Sequence, residues 1–124
     1  MVIAVDFDGT LCEDKFPHIG KETEVFQYVK ILKGLGCKII LYTCRSKKNL
    51  ENAINWCKDR GLTFDAINEN LKENIAEYGG DTRKVWANVY LEDKAMINSE
   101  NIIADMVKYL KKLSIDILLG NYKI

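Results

Sequence analysis

Short, unbroken apolar runs alternate along the chain with longer segments in which apolar residues recur every three or four positions. Such runs are typical of strands that are buried on both faces of a parallel sheet. They predict four strands, at residues 2–5, 37–42, 62–67 and 85–91. The polar stretch that follows the first strand, up to Gly20, is predicted to be a loop.

The segments with helical spacing lie between these strands and after the last one. They predict helices at about 22–33 and 46–61, a short helix with a loop within 68–83, and a final helix capped by Ser99. Residues 115–124 are apolar enough to pack or pair, but no motif assigns them to an element. The alternation predicts an α/β domain with a parallel sheet covered on both faces.

Length and composition indicate one domain over residues 1–124. The chain is 48% hydrophobic and 29% charged, with a single proline, which is ordinary for a globular protein. Its 18 basic and 18 acidic residues give no reason to expect a nucleic-acid or membrane partner. We expect neither a membrane span nor a signal peptide, because the apolar runs are short and no basic stretch precedes the first one.

The four cysteines show neither Cys-x-x-Cys pairing nor the spacing of a zinc site. We expect free thiols and a cytoplasmic protein, with Cys37 and Cys57 in the core because their neighbours are apolar. Trp56 and Trp86 lie within periodic segments and are also predicted to be core residues.

The first strand leads directly into two carboxylates and a turn, Asp6-Phe7-Asp8-Gly9-Thr10. Residues i and i+2 of a strand point to the same side, and open α/β sheets bind ligands beyond the carboxyl ends of their strands. Two adjacent carboxylates repel each other unless a cation or a proton lies between them. We interpret the segment as a catalytic turn, against the alternative of an ordinary acidic surface turn.

Two other predicted strands also end in polar side chains. Thr43 and Arg45 follow the second strand, and a hydroxyl and a guanidinium at that position are suited to bind a phosphate. The last strand ends in Glu92 and Asp93, a second acidic pair at the same predicted edge. The strand ends therefore predict one site that holds both a cation and an anion.

From residue 2 to about residue 95, the chain resembles the haloacid dehalogenase-like hydrolases, whose members mostly cleave phosphate monoesters through an aspartyl-phosphate and use Mg²⁺. By this resemblance Asp6 is the nucleophile and a metal ligand. Asp8 is the general acid and base, and its backbone carbonyl is a further metal ligand. Gly9 and Thr10 complete the motif and are assigned to substrate binding, together with Arg45.

The other motif positions follow in order, although only the first motif is specific alone. Thr43 matches the catalytic Thr or Ser that ends the second strand, and Lys84 matches the catalytic lysine, with Lys72 and Lys94 as alternatives. Asp93 matches a direct Mg²⁺ ligand. Glu92 departs from the usual Asp and is assigned to the metal site through a bound water.

The resemblance implies a three-layer, Rossmann-like domain, and the intervals between the motifs leave no room for a cap domain. An open site of this kind would leave the choice of a small phosphorylated substrate to loops or to a neighbouring subunit, so a homo-oligomer is an open alternative. His18, the single histidine, lies in the loop expected to cover the site.

Two other functions remain open from the sequence. A receiver-like signalling module also uses acidic residues, Mg²⁺, Thr and Lys, and Asp65 is the candidate phosphoacceptor at the end of the third strand. A nucleic-acid 3′-phosphatase would also suit an open site, although the balanced charge argues against it.

Overall fold

A four-stranded parallel sheet forms the centre of the computed structural model, which describes residues 1–95 and 99–122. The strands are β1 (Val2–Val5), β2 (Cys12–Lys15), β3 (His18–Glu22), β4 (Lys38–Leu41), β5 (Ala66–Ile67) and β6 (Val89–Leu91). The helices are α1 (Glu24–Gly34), α2 (Lys47–Asp59), α3 (Lys72–Tyr78) and α4 (Ile102–Leu118). The central sheet has the order β5-β4-β1-β6, and β2 and β3 form a separate antiparallel hairpin.

The two faces of the sheet bury their side chains in two separate apolar clusters. Ile3 and Val5 of β1 belong to the large core cluster, which also contains buried residues of α1, α2 and α4. Ala4, on the opposite face, belongs to a smaller cluster that Leu71 and Val85 help to form. The alternation of neighbouring β1 residues between the two clusters confirms the prediction of a sheet covered on both faces.

The register of the sheet brings the ends of three strands to one edge. Val5 pairs with Leu41 of β4 on one side and with Leu91 of β6 on the other. The chain reaches β4 from β1 through α1, but it reaches β6 only after β5, on the other side of β1. The order of the strands therefore reverses beside β1, and ligands of open α/β sheets bind at such a point.

The hairpin of β2 and β3 replaces the loop predicted up to Gly20. The segment Cys12–Lys15 buries only its first residue, so it lacks the alternation of apolar and polar residues that identifies a half-buried strand. Its backbone pairing, rather than burial, makes it a strand. A β carbon added at Gly20 would lie 2.2 Å from the carbonyl oxygen of Glu13, so the two strands pass each other too closely for a side chain.

Other sequence predictions are corrected at the ends of elements. Helix α4 extends to Leu118, which assigns the first part of the unplaced tail, and residues 123–124 lie outside the described residues. The N-cap of α4 is Asn101, whose Oδ1 accepts the Ala104 N–H at 3.1 Å. Ser99, the cap predicted from the sequence, donates its hydroxyl to Asp105 instead.

Two predicted strands are shorter in the structure than in the sequence analysis. The run 62–67 forms a strand only at Ala66–Ile67, and the run 85–91 only at Val89–Leu91. Before these short strands, Leu62, Val85 and Ala87 are buried in the core clusters without belonging to a strand. Trp86 is 45% exposed, so its assignment to the core was wrong, whereas Trp56 packs against the core and Cys37 and Cys57 are buried.

Within the described residues, no helix is both long enough and apolar enough to cross a membrane. No cap domain occurs among these residues, as the intervals between the motifs predicted.

The close passage at Gly20 generates a stability prediction. We expect Gly20→Ala to lower the free energy of unfolding by about 1–3 kcal/mol, because the new methyl group would overlap the Glu13 backbone. Gly34→Ala is the matched control, since a β carbon there would meet no atom within 4 Å. Urea unfolding monitored by circular dichroism measures both, and equal stability of the two variants would contradict the close packing of the hairpin.

Candidate functional site

The segment after β1 turns tightly around a buried aromatic residue. Phe7 is fully buried, and its carbonyl accepts the N–H groups of Thr10 at 3.2 Å and Leu11 at 3.0 Å. Asp6 and Asp8, on either side of Phe7, remain partly exposed. The turn therefore presents two carboxylates at the edge of the sheet while the residue between them is anchored in the core.

Asp6 joins Glu92 and Asp93 in an acidic cluster. Carboxylate oxygens of the three residues all lie within 4.8 Å of one another. The Asp6 N–H donates to the Leu91 carbonyl at 3.0 Å, which holds the loops after β1 and β6 together. The structure thus unites three of the four predicted metal-binding residues through their side chains, and Asp8 is not part of this cluster.

The acidic cluster has an excess of negative charge. Burial, opposed by the Phe7 N–H and then reinforced by the charges of Glu92 and Asp93, raises the pKa of Asp6 to about 8. Burial and the neighbouring Asp93 carboxyl also raise the pKa of Glu92. No lysine or arginine of the described ranges forms a salt bridge with the cluster. It is therefore suited to a proton or a cation.

Gly9 and Thr10 fix the position of Asp93. Gly9 has a φ of +83°, and a β carbon there would lie 2.4 Å from Oδ2 of Asp93. The Thr10 hydroxyl accepts the Asp93 N–H at 3.2 Å and lies 3.5 Å from Oδ1 of the same residue. Thr10 is fully buried. Both residues, which were predicted to bind substrate, thus support the acidic cluster in this structure.

Asp8 pairs with Arg45 instead of with the acidic cluster. The guanidinium donates from Nε to Oδ2 and from Nη2 to Oδ1, each at 2.8 Å. It also donates to the carbonyl oxygens of Pro17, His18 and Asn49, at 3.3, 3.0 and 3.3 Å. Arg45 is only 3% exposed, and the hydrogen bond and charge of Asp8 raise its pKa. Its donors thus bind protein oxygens, whereas the sequence predicted a phosphate.

A cavity of about 540 Å³ opens beside these groups. Its lining residues are Asp6, Asp8, Asp14, Phe16, Tyr42, Thr43, Cys44, Arg45, Glu92 and Lys94. Thr43 donates its N–H to Oδ1 of Asn68 at 2.8 Å, and its hydroxyl accepts the Arg45 N–H at 3.1 Å. The end of β4 is therefore held in position within the cavity wall, and the catalytic role assigned to Thr43 stays a prediction.

Lys84 does not line this cavity. It is exposed, and its Nζ lies 5.2 Å from the centroid of the Tyr90 ring. Lys94, named as an alternative from the sequence, lines the cavity and is exposed. The exposed His18 approaches the site through its carbonyl oxygen, which accepts from Arg45.

Sequence reasoning missed the contribution of the hairpin. Asp14 and Phe16 line the cavity, but the polar sequence of β2 concealed the strand that places them there. An available signal was the isolated Phe16-Pro17 pair within an otherwise polar stretch, because a large apolar residue in a loop often marks a contact surface.

No protein-family model matches the chain, and no curated protein matches it significantly. Among solved structures, the chain is similar to a conserved protein coded by a locus of Bacteroides thetaiotaomicron, with 34% sequence identity and a TM-score of 0.74. The match covers 90% of this chain and 91% of the Bacteroides chain. At this identity and coverage, the chain belongs to the same family as the conserved Bacteroides protein.

Proposed function

We propose that the protein is a Mg²⁺-dependent phosphohydrolase that cleaves a phosphate monoester through an aspartyl-phosphate on Asp6. The observation that carries this proposal is the acidic cluster of Asp6, Glu92 and Asp93 at the point where the strand order reverses. The resemblance of the motifs to haloacid dehalogenase-like hydrolases supports the same reaction.

The donor set of the acidic cluster fits Mg²⁺. Carboxylate oxygens are the ligands that this hard cation prefers, and the three carboxylates are close enough to share one ion. Burial, together with the charges of Glu92 and Asp93, raises the pKa of Asp6, and a bound cation would favour the ionised form of this carboxyl group. When bound, Mg²⁺ would offset the charge of the phosphoryl group. Asp6, Glu92 and Asp93 would hold it.

Asp6 and Asp8 have separate roles in the proposed reaction, as nucleophile and as general acid and base. An oxygen of Asp6 forms a bond to phosphorus while the bond to the leaving oxygen breaks, and Asp8, which enters this step as the carboxylic acid, supplies the proton that this oxygen takes up. Water then attacks the aspartyl-phosphate and gives its proton to Asp8, which regenerates both groups. Arg45 positions Asp8 for both transfers, since each carboxylate oxygen retains a lone pair beyond the bond to the guanidinium.

The position of Asp65 argues against a receiver-like signalling module. Its carboxylate accepts the Ile39 N–H at 2.7 Å, near the amino end of β4, and forms a salt bridge with Lys33. Asp6 lies at the opposite ends of the strands, so Asp65 and the acidic cluster do not share a site. The cavity also has four acidic and two basic lining residues, which disfavours a polyanionic nucleic-acid end.

Asp6→Asn tests the nucleophile. We expect phosphatase activity to fall at least about 10³-fold, because an amide is a poor nucleophile toward phosphorus. Asp59→Asn is the matched control, since Asp59 is exposed at the end of α2. Release of inorganic phosphate from a metabolite panel measures the rates with and without Mg²⁺. Wild-type activity in Asp6→Asn would exclude the covalent mechanism.

Metal binding should depend more on Asp93 than on Glu92. Asp93 is fixed by Thr10 and by the space above Gly9, whereas Oε1 of Glu92 accepts the Lys94 N–H at 3.1 Å. We therefore expect Asp93→Asn to abolish measurable Mg²⁺ binding and Glu92→Gln to weaken it about 10–100-fold.

Isothermal titration calorimetry measures both metal affinities, with the exposed Glu77→Gln as control. The reverse order, in which Glu92→Gln loses the ion and Asp93→Asn keeps it, would contradict the assignment.

The raised pKa of Asp6 predicts that the free energy of unfolding of the metal-free protein depends on pH. Since the folded state holds the Asp6 proton more tightly than the unfolded state, stability from this group is lost as the pH rises from about 4 to about 8. Asp6→Asn removes the charge, so it should be more stable than wild type by about 1–2 kcal/mol at pH 8, after allowance for solvent screening.

The stability difference between Asp6→Asn and wild type should vanish near pH 4. Thermal unfolding in a chelator, measured across this pH range, tests the prediction. A constant difference would show that the charge of Asp6 is not its cause.

A further inference from the structure

The described apolar residues of the cavity wall are mainly aromatic. Phe16, Tyr42 and Cys44 line it, and no residue with an aliphatic side chain does so within residues 1–95 and 99–122. Aromatic surfaces bind flat rings with a preferred geometry, which gives a selectivity that a general apolar surface lacks. The composition of the wall therefore points to the shape of the group that it accepts.

Phe16 is exposed and yet held in place. Its side chain is 56% exposed, but its N–H donates to Oδ1 of Asp14 at 3.3 Å and its ring centroid lies 5.1 Å from the Arg45 guanidinium carbon. Arg45 also binds the carbonyl oxygens of Pro17 and His18, the next two residues. A ring that is already positioned loses little conformational entropy when a ligand binds to it.

Tyr42 is fixed by a different part of the chain. Its N–H donates to the Val5 carbonyl at 2.9 Å, and its hydroxyl donates to the Arg83 carbonyl at 3.3 Å. Phe16 and Tyr42 thus line the cavity from the hairpin and from the end of β4, and each residue has hydrogen bonds of its own.

The charges of the cavity restrict what such a ring can carry. Asp6, Asp8, Asp14 and Glu92 line the same space, and the bidentate pairing of Arg45 neutralises only Asp8. A divalent cation and Lys94 together carry less positive charge than the acidic cluster and a phosphoryl group carry negative charge, and Asp14 adds to the excess. A second anionic group on the substrate would therefore be repelled.

From these contacts we propose that Phe16 and Tyr42 form a subsite for the leaving group, and that the preferred substrates are phosphate monoesters whose alcohol carries a flat, uncharged ring. The proposal rests on the proposed function and specifies its substrate class. A nucleobase and a simple aryl group share this chemistry, so the test includes one substrate pair for each.

The first pair is adenosine monophosphate and ribose phosphate, which carry phosphate on the same primary alcohol and differ by the base. The second pair is benzyl phosphate and ethyl phosphate. We expect wild type to prefer the ring-bearing member of at least one pair, and Phe16→Ala to lower that ratio of kcat/KM about 10-fold. The pair with the larger loss identifies the ring.

Two variants control for the ring itself. Phe16→Trp should retain the preference, since it keeps an aromatic surface on the hairpin. Tyr78→Ala should leave every rate unchanged, since Tyr78 is an exposed aromatic residue of α3 that does not line the cavity. Hydrolysis with the same ratio in wild type and Phe16→Ala would overturn the subsite and leave the proposed function standing.

A binding measurement separates the subsite from catalysis. Saturation-transfer NMR with benzylphosphonate, which cannot be hydrolysed, should show transfer to its ring in wild type and a several-fold weaker signal in Phe16→Ala. Binding that depends on Phe16 without hydrolysis of any substrate would support the subsite and overturn the proposed function. Neither binding nor hydrolysis would overturn both.

Discussion

The buried pair of Asp8 and Arg45 is the interaction on which the geometry of the site depends. The guanidinium is almost completely buried and lies between the rings of Phe7 and Phe16, with its carbon 4.9 and 5.1 Å from their centroids. The guanidinium joins the turn after β1, the hairpin and α2 through bonds to oxygen atoms of each. The backbone N–H of Arg45 adds the end of β4, because it donates to the Thr43 hydroxyl. Removal of one partner from a buried charge pair typically costs about 3–5 kcal/mol, so these elements form one unit.

The two carboxylates of the first turn lie in opposite electrostatic surroundings. Asp8 forms a bidentate pair with the Arg45 guanidinium. Asp6 is instead partly buried beside Glu92 and Asp93, and its pKa is raised to about 8. The difference follows from the neighbouring strands of the sheet, because the end of β6 carries Glu92 and Asp93 beside Asp6, whereas the end of β4 carries Arg45, which binds Asp8. Asp8 is already paired with a cationic side chain, so a bound cation would stabilise the site mainly through Asp6, whose carboxylate has no such partner among the described residues.

The sequence was sufficient for the sheet and for the residues at its edge, because buried strands are marked by apolar runs and the chemistry follows where those runs end. The sequence did not predict which residues of the site bind one another. Arg45 was expected to bind phosphate, since nothing in the sequence shows that Asp8 and the hairpin carbonyls use its donors. Gly9 was recognised as a turn residue, but the carboxylate that occupies the space of its missing side chain is 84 positions away in the chain, at Asp93. Contacts between residues so far apart along the chain leave no pattern in the local sequence.

The hairpin explains how a domain without a cap obtains a cavity wall. A polar two-stranded ribbon has too little apolar surface to be stable on its own, and here the Arg45 guanidinium binds the residues at its turn and holds it against the edge of the sheet that carries Asp6 and Asp8. The same contact places Phe16 beside the two aspartates, so the residue that orients Asp8 also orients the apolar part of the wall. If the proposed function and subsite hold, positioning of the reactive carboxylate and selection of the leaving group are linked through the Arg45 side chain.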